Sequence, residues 1–204
     1  MSPREALSGA NIALIAVFAA FIAASTLVPE ITLAFGVPFS LQTLAVVLAG
    51  LCLGPWRGIA AVVLYILVGF AGAPVFANMA AGLGVLAGPT GGFLLGFIPA
   101  AGLVGALTMA ARRRGRLGYP TLLLAGLASI PVTYAVGIPW LSVRTGLSLA
   151  DATVAMAPFM VGDVIKVAIA AGVAAVIHRA YPRLLPPARP AASAVDSRKA
   201  RATA

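Results

Sequence analysis

The chain has 204 residues, 61% of them hydrophobic and 9% charged, with a mean hydropathy of +1.05. A soluble domain carries about 25% charged residues, so this composition excludes one and defines an integral membrane protein. The net charge of +9 does not mark a nucleic-acid partner: Arg57, Arg112, Arg113, Arg114, Arg116, Arg179 and Arg183 fall in short junctions between apolar runs or just after the last one, the pattern of cytoplasmic loops.

Arg4 and Glu5 precede an uncharged run over 11–28. A cleaved secretory signal has an apolar stretch of about 7–15 residues, and this run is longer and has further spans behind it, so it reads as a retained first helix. Ala16, Ala20 and Ala24 recur along it and make a strip of small residues on which another helix can pack closely. Alanine is so common in the chain that this spacing carries little weight alone. A first loop without Lys or Arg runs from Val28-Pro29-Glu30 to Val37-Pro38-Phe39, and a second helix is predicted over 40–53 with Gln42 near its start. Gly54-Pro55-Trp56-Arg57-Gly58 reads as a tight turn on the cytoplasmic side, because Gly and Pro interrupt a helix and Arg57 marks the face.

A third helix follows over 59–71, then an uncharged Gly/Ala-rich loop over 72–88 in which Asn78 is the sole side-chain amide. Gly88-Pro89-Thr90-Gly91-Gly92 opens a fourth helix that ends at the arginine cluster 112–116. The fifth helix, over 119–136, contains Pro131 and Tyr134. An outer loop holds Pro139, Trp140, Arg144 and Asp151, and the sixth helix starts at Pro158 and runs to 177. The expected fold is an all-α compact bundle of about six transmembrane helices with both termini cytoplasmic. Arg144 is the one outer-loop exception, partly offset by Asp151. The domain spans 1–183. The basic, Pro/Ala-rich segment 184–204 has too little apolar content to fold and reads as a disordered cytoplasmic tail that touches anionic membrane lipid.

Asp163 and Lys166 are the only ionisable residues of the last span before His178. A charge in hydrocarbon costs several kcal/mol, about 2.5–3.5 on the insertion scale, so such residues face a protein interior or a cavity. At spacing i, i+3 the two share a helix face and form a nearly neutral pair. Two readings are open, a ligand site or a salt bridge that only fixes helix packing, and the residues favour the first. Each helix entering from outside starts at or just after a proline: Pro38, Pro89 and Pro158. Proline suits the first helical position, so three positive helix ends would sit near the outer face, where they attract anions. The polar residues within two turns of these ends are Gln42, Thr90, Asp163 and Lys166, with Asn78 in the loop between. This sparse set suits a small, mostly apolar ligand with a polar head and one acid group.

Several chemistries are missing. The chain has no phosphate-binding loop, and its only lysines are Lys166 and Lys199, so any ATP is hydrolysed by another subunit. Neither a Ser/His/Asp nor a Cys/His set occurs, and the single Cys52 excludes an internal disulfide and lacks the company a metal site needs. His178, beside Arg179 at the inner boundary, reads as an interfacial residue. A ring of acidic residues for cation conduction is also missing. Neither an enzyme nor a channel is expected.

The runs Val37-Pro38-Phe39-Ser40-Leu41-Gln42-Thr43-Leu44, Leu48-Ala49-Gly50 and Gly54-Pro55-Trp56-Arg57-Gly58 resemble the BioY family. So do Gly72-Ala73-Pro74-Val75-Phe76, Gly88-Pro89-Thr90-Gly91-Gly92-Phe93, and Pro158-Phe159 through Gly162-Asp163 to Lys166. The motifs fall in family order over about 10–180. BioY proteins are the biotin-binding substrate (S) components of energy-coupling-factor (ECF) transporters. The resemblance therefore implies a six-helix subunit of the cell membrane that captures biotin from outside. It would work with a transmembrane T component and cytoplasmic ATPase subunits, and carries no cofactor or metal of its own. It implies docking on the T component through the strip Ala16, Ala20 and Ala24. It also implies a cavity under the loops after the first and third helices, with Gln42, Asn78, Thr90, Phe93, Tyr134, Asp163 and Lys166 as substrate-binding candidates. Two departures stand out: the loop Ala77-Asn78-Met79-Ala80-Ala81-Gly82 is less Gly-rich than in relatives, and Phe93 replaces a frequent tyrosine and so offers no hydroxyl.

A ureido ring offers two N–H donors and one carbonyl acceptor. On this reading Asp163 takes an N–H, Lys166 donates to the carbonyl or reaches the carboxylate, and Gln42 completes the polar set. A different vitamin, or a structural subunit without a ligand, are the competing readings.

Overall fold

The computed structural model describes residues 8–28, 31–32, 38–182 and 184–185. Arg4, Glu5, the rest of the first loop, Arg183 and the expected tail beyond Leu185 lie outside the described residues. Without water to satisfy the backbone, an apolar chain must bond its own N–H and C=O groups, and helices do this within one segment. The helices are α1 (Gly9–Ala24), α2 (Gln42–Phe70), α3 (Gly91–Arg113), α4 (Tyr119–Leu127), α5 (Ser129–Thr145) and α6 (Leu149–Ala180). Strands β1 (Ile31–Thr32) and β2 (Pro38–Phe39) pair antiparallel ahead of α2, and short 3-10 turns at Ala77–Met79 and Leu83–Ala87 lie between α2 and α3. Ala128 keeps helical angles, so α4 and α5 form one apolar span, Tyr119–Thr145. With that join, four helices are long and apolar enough to cross a membrane, and α1 is a shorter apolar helix.

α2 is folded on itself. As a straight rod its 29 residues would extend about 43 Å. Yet Gln42 near its start bonds Tyr65 near its end, and Gly58 lies against the backbone of Gly50. The turn is at Gly54, whose φ of 77° disfavours any side chain, and Pro55 starts the second arm without an N–H to leave unsatisfied. The break falls where Gly54-Pro55 predicts it. The expected loop does not extend beyond it, because Trp56, Arg57 and Gly58 already belong to the second arm. Gly105 of α3 presses on this turn, where a Cβ would stand 2.5 Å from the Pro55 nitrogen.

The region between α5 and α6 corrects the sequence reading. Pro139, Trp140 and Arg144 are helical, α5 runs on to Thr145, and Gly146 ends it with a left-handed φ of 75°. α6 starts at Leu149 instead of Pro158 because Ser148 caps it. The Ser148 Oγ accepts the Asp151 N–H at 3.1 Å and donates to the Asp151 carboxylate at 2.6 Å, and that carboxylate sits in the first turn, where the helix dipole favours it. Pro158 is therefore inside α6, and the third proline-marked helix start does not exist.

At the basic end of the bundle Arg57 is buried, 6% exposed. Its guanidinium donates to the carbonyls of Leu53 (3.2 Å) and Leu184 (2.6 Å) and to the Asn11 Oδ1 (3.4 Å). Arg112 donates to the carbonyls of Leu185 (2.6 Å) and Pro182 (3.1 Å), and Leu185 is fully buried against the Gly54 turn. His178, expected at the interface, is buried too and donates from Nε2 to the Leu51 carbonyl at 2.9 Å. These contacts fasten the end of α6 over the α2 turn.

Candidate ligand-binding site

Toward the opposite end the elements enclose a cavity of about 100 Å³, several times what one water needs, roughly 10–15 Å³. The start of α2 supplies Ser40, Gln42 and Thr43. The α2–α3 connection supplies Phe76, Ala77, Ala80 and Val85, and α3 supplies Thr90, Phe93, Leu94 and Phe97. The far wall comes from Thr133 and Tyr134 of α5 and from Met156, Phe159, Asp163 and Lys166 of α6. Most of the wall is aromatic or aliphatic, and its polar groups are few, as in small-molecule sites generally.

Asp163 and Lys166 are 6% and 5% exposed and paired at 3.1 Å. Lys166 Nζ donates to Asp163 Oδ1, and the Tyr134 hydroxyl donates to Oδ2 at 2.9 Å. A carboxylate offers about four lone-pair sites, so one donor on each oxygen leaves each able to accept another. Tyr134 is itself held by Phe93, ring edge to face at 5.8 Å and 87°. On the other side Gln42 is locked by three contacts. Its Oε1 accepts the Ser40 hydroxyl at 2.9 Å, its N–H reaches the Ser40 Oγ at 3.3 Å, and its Nε2 donates to the Tyr65 hydroxyl.

Backbone shape places these groups. A Cβ at Gly92 or Gly137 would collide with the rings of Trp140 and Phe93 respectively, and one at Gly96 would stand 3.0 Å from the Thr133 carbonyl. These three glycines let α3 and α5 approach closely enough for Phe93 and Tyr134 to meet. Trp140 Nε1 then donates to the Gly88 carbonyl at 3.1 Å, and the Arg144 guanidinium donates to the Ala87 carbonyl, 2.7 Å from Nε. Two α5 side chains thus hold the segment that covers the cavity.

Of the predicted residues, Gln42, Thr90, Phe93, Tyr134, Asp163 and Lys166 line this one cavity. Asn78 does not. Its φ of 56° turns it outward in the Ala77–Met79 turn, where it is exposed while Ala77 and Ala80 reach the wall. Two of the three expected helix starts, those of α2 and α3, reach the cavity mouth, and that of α6 does not. Ala16, Ala20 and Ala24 all lie on the exposed face of α1, while Ala19 and Ile22 pack inward. Sequence reasoning did not single out Ser40, Thr43, Phe76, Phe97, Thr133, Met156 and Phe159 as lining residues, nor Tyr65 as the partner of Gln42. Ser40, Thr43, Phe76 and Phe159 carried a signal as members of the family motifs. Among the described residues no group of His, Cys, Asp and Glu is arranged to hold a metal.

A predominantly helical, multi-pass membrane protein with a mostly apolar internal cavity is the class these features define. The BioY family profile matches residues 1–183, and the chain belongs to the BioY family. It is 44% identical over 188 residues to the biotin transporter BioY of Rhodobacter capsulatus, covering 86% of this chain and 96% of that one. To the Rhizobium etli biotin transporter BioY it is 38% identical over 188 residues, covering 90% and 100%. The described fold matches a solved structure of the S-component for biotin from an ECF-type ABC transporter with a TM-score of 0.79, at 23% identity, over 88% of this chain and 95% of that one.

Proposed function

We propose that this chain is the biotin-capturing S component of an ECF-type transporter, and that its cavity is the biotin site. The observation that carries the reading is the Asp163–Lys166–Tyr134 cluster, buried in an otherwise apolar cavity of a BioY-family chain. Asp163 has acceptor capacity left for a ureido N–H, and Lys166 donates to the ureido carbonyl when ligand loosens its hold on Asp163. Phe93, Phe97 and Phe159 contact the fused rings and valeryl chain, and Gln42, held by Ser40 and Tyr65, presents a fixed amide from across the cavity. The acid group lies toward the mouth, where the starts of α2 and α3 supply positive dipole ends beside Thr43 and Thr90.

The two arms of α2, folded at Gly54, count as separate crossings. The membrane unit then has six helices, and both termini lie with Arg57 and the 112–116 arginines on the cytoplasmic face of the cell membrane. Biotin enters from the opposite side. The exposed strip Ala16, Ala20 and Ala24 docks on a T component, and cytoplasmic ATPase subunits hydrolyse the ATP, because this sequence has no phosphate-binding loop. Residues 1–183 form the membrane unit, with the basic segment beyond it on the cytoplasmic side.

Equilibrium binding of labelled biotin to the detergent-purified chain tests this. Saturable binding that unlabelled biotin displaces, and riboflavin or thiamine does not, is expected. A folded, monodisperse chain that binds no biotin would refute it.

A further inference from the structure

Among the described residues, most buried or helix-bound Ser and Thr side chains return their proton to a carbonyl three or four residues back: Ser25 to Ile22, Thr26 to Ala23, Thr108 to Val104, Ser129 to Gly126, Thr145 to Leu141 and Thr153 to Leu149, all at 2.6–2.8 Å. Ser142 of α5 donates forward instead, to the Leu147 carbonyl at 2.7 Å. Among the described residues whose side chains are placed, three threonines have no such bond: Thr43, Thr90 and Thr133. All three line the cavity. Thr133 is the severe case, at 5% exposure inside a helix, where a carbonyl one turn back is the local acceptor on offer. A buried hydroxyl without a partner is costly, so a native structure keeps one where something else completes it.

Its depth identifies what that is. Along α5, Trp140 packs on Gly91 and Gly92, Gly137 on Phe93, and Thr133 on Gly96. Thr133 therefore lies two turns deeper than the segment held by Trp140, beside Tyr134 and at the level of the Asp163 cluster. We propose that Thr133 is a specificity-determining residue whose hydroxyl hydrogen-bonds the ureido head of the ligand. This rests on the biotin reading of the cavity. The bond fixes how deeply the head seats, with Asp163 and Lys166 supplying charge and Thr133 supplying a neutral partner from the adjacent helix.

The test titrates biotin into the purified full chain as wild type, Thr133→Val and Thr133→Ser, with thermal unfolding of each without ligand. Val keeps the shape and removes the hydroxyl, so biotin affinity is expected to fall about tenfold, while ligand-free heat stability is unchanged or higher because a buried unsatisfied group is gone. Ser restores affinity to within about threefold of wild type, as expected if the hydroxyl carries the effect. Wild-type affinity in Thr133→Val overturns the proposal, and so does a Ser variant as weak as Val, which would mean that shape alone matters. Should Thr133→Val not fold, Thr133→Ala replaces it in the same comparison with Ser. A folded wild type that binds no biotin removes the underlying reading itself, which separates that failure from a failure of the Thr133 assignment.

Discussion

Asp163 and Lys166 form a buried ion pair in which breaking one partner and removing both have different expected consequences. Burying one charge without the other costs about 3–5 kcal/mol, so Lys166→Met alone is expected to lower heat stability markedly, as circular dichroism or a thiol-dye melt would record. Tyr134→Phe keeps the edge-to-face contact with Phe93 and removes one donor from Asp163. It is expected to weaken biotin binding about fivefold with little change in melting, and an unchanged dissociation constant would mean that the hydroxyl does not help position the carboxylate. The charged pair was legible in sequence because ionisable groups stand out in an apolar span. Thr133 and Tyr65 were not, since threonine and tyrosine are ordinary in membrane helices. What distinguishes them is a missing bond in one case and, in the other, a partner 23 positions away.

At the level of elements, glycine and proline were read correctly where they act through the local backbone and incorrectly where a cap competed with them. Gly54-Pro55 does break α2. Pro158 reads in sequence as a helix start, but the Ser148 cap begins α6 at Leu149, nine residues earlier, and the helix accommodates the proline. The reach of α5 was also underestimated, because Trp140 and Arg144 look like loop residues until their donors are seen to hold the carbonyls of Gly88 and Ala87. That contact makes α5 the clamp on the segment covering the cavity. Trp140→Phe combined with Arg144→Ala is therefore expected to raise the biotin dissociation rate at least fivefold, read in a chase with unlabelled biotin. An unchanged rate would show that the segment's own turns hold it closed. Close packing at Gly137 predicts that Gly137→Leu displaces Phe93 and lowers both heat stability and affinity, measured on the same sample.

For the whole molecule, hydropathy and arginine placement were enough to indicate a helical membrane bundle, and the order of motifs was enough to place its family. Long-range closure was not readable. In sequence Arg57 is a topology marker, yet two of its partners are Asn11 and Leu184, at separations of 46 and 127 residues. The orientation with the basic end inside predicts that Arg144→Cys is labelled by a membrane-impermeant maleimide on intact cells, whereas Arg113→Cys is labelled only after permeabilisation. The native Cys52 is fully buried and gives little background. The reverse pattern would invert the topology.

The buried Asp163–Lys166 pair is proposed to hold ligand, and a packing salt bridge is the competing role. One measurement separates the two: a biotin titration of wild type beside the double variant Asp163→Leu/Lys166→Met, with both melted in parallel. Replacing both charges by apolar groups of similar volume is expected to leave a folded chain at least as heat-stable as wild type, with biotin affinity at least about a hundredfold lower, since two charge-assisted contacts are lost. A double variant that folds and binds biotin with wild-type affinity would contradict the account.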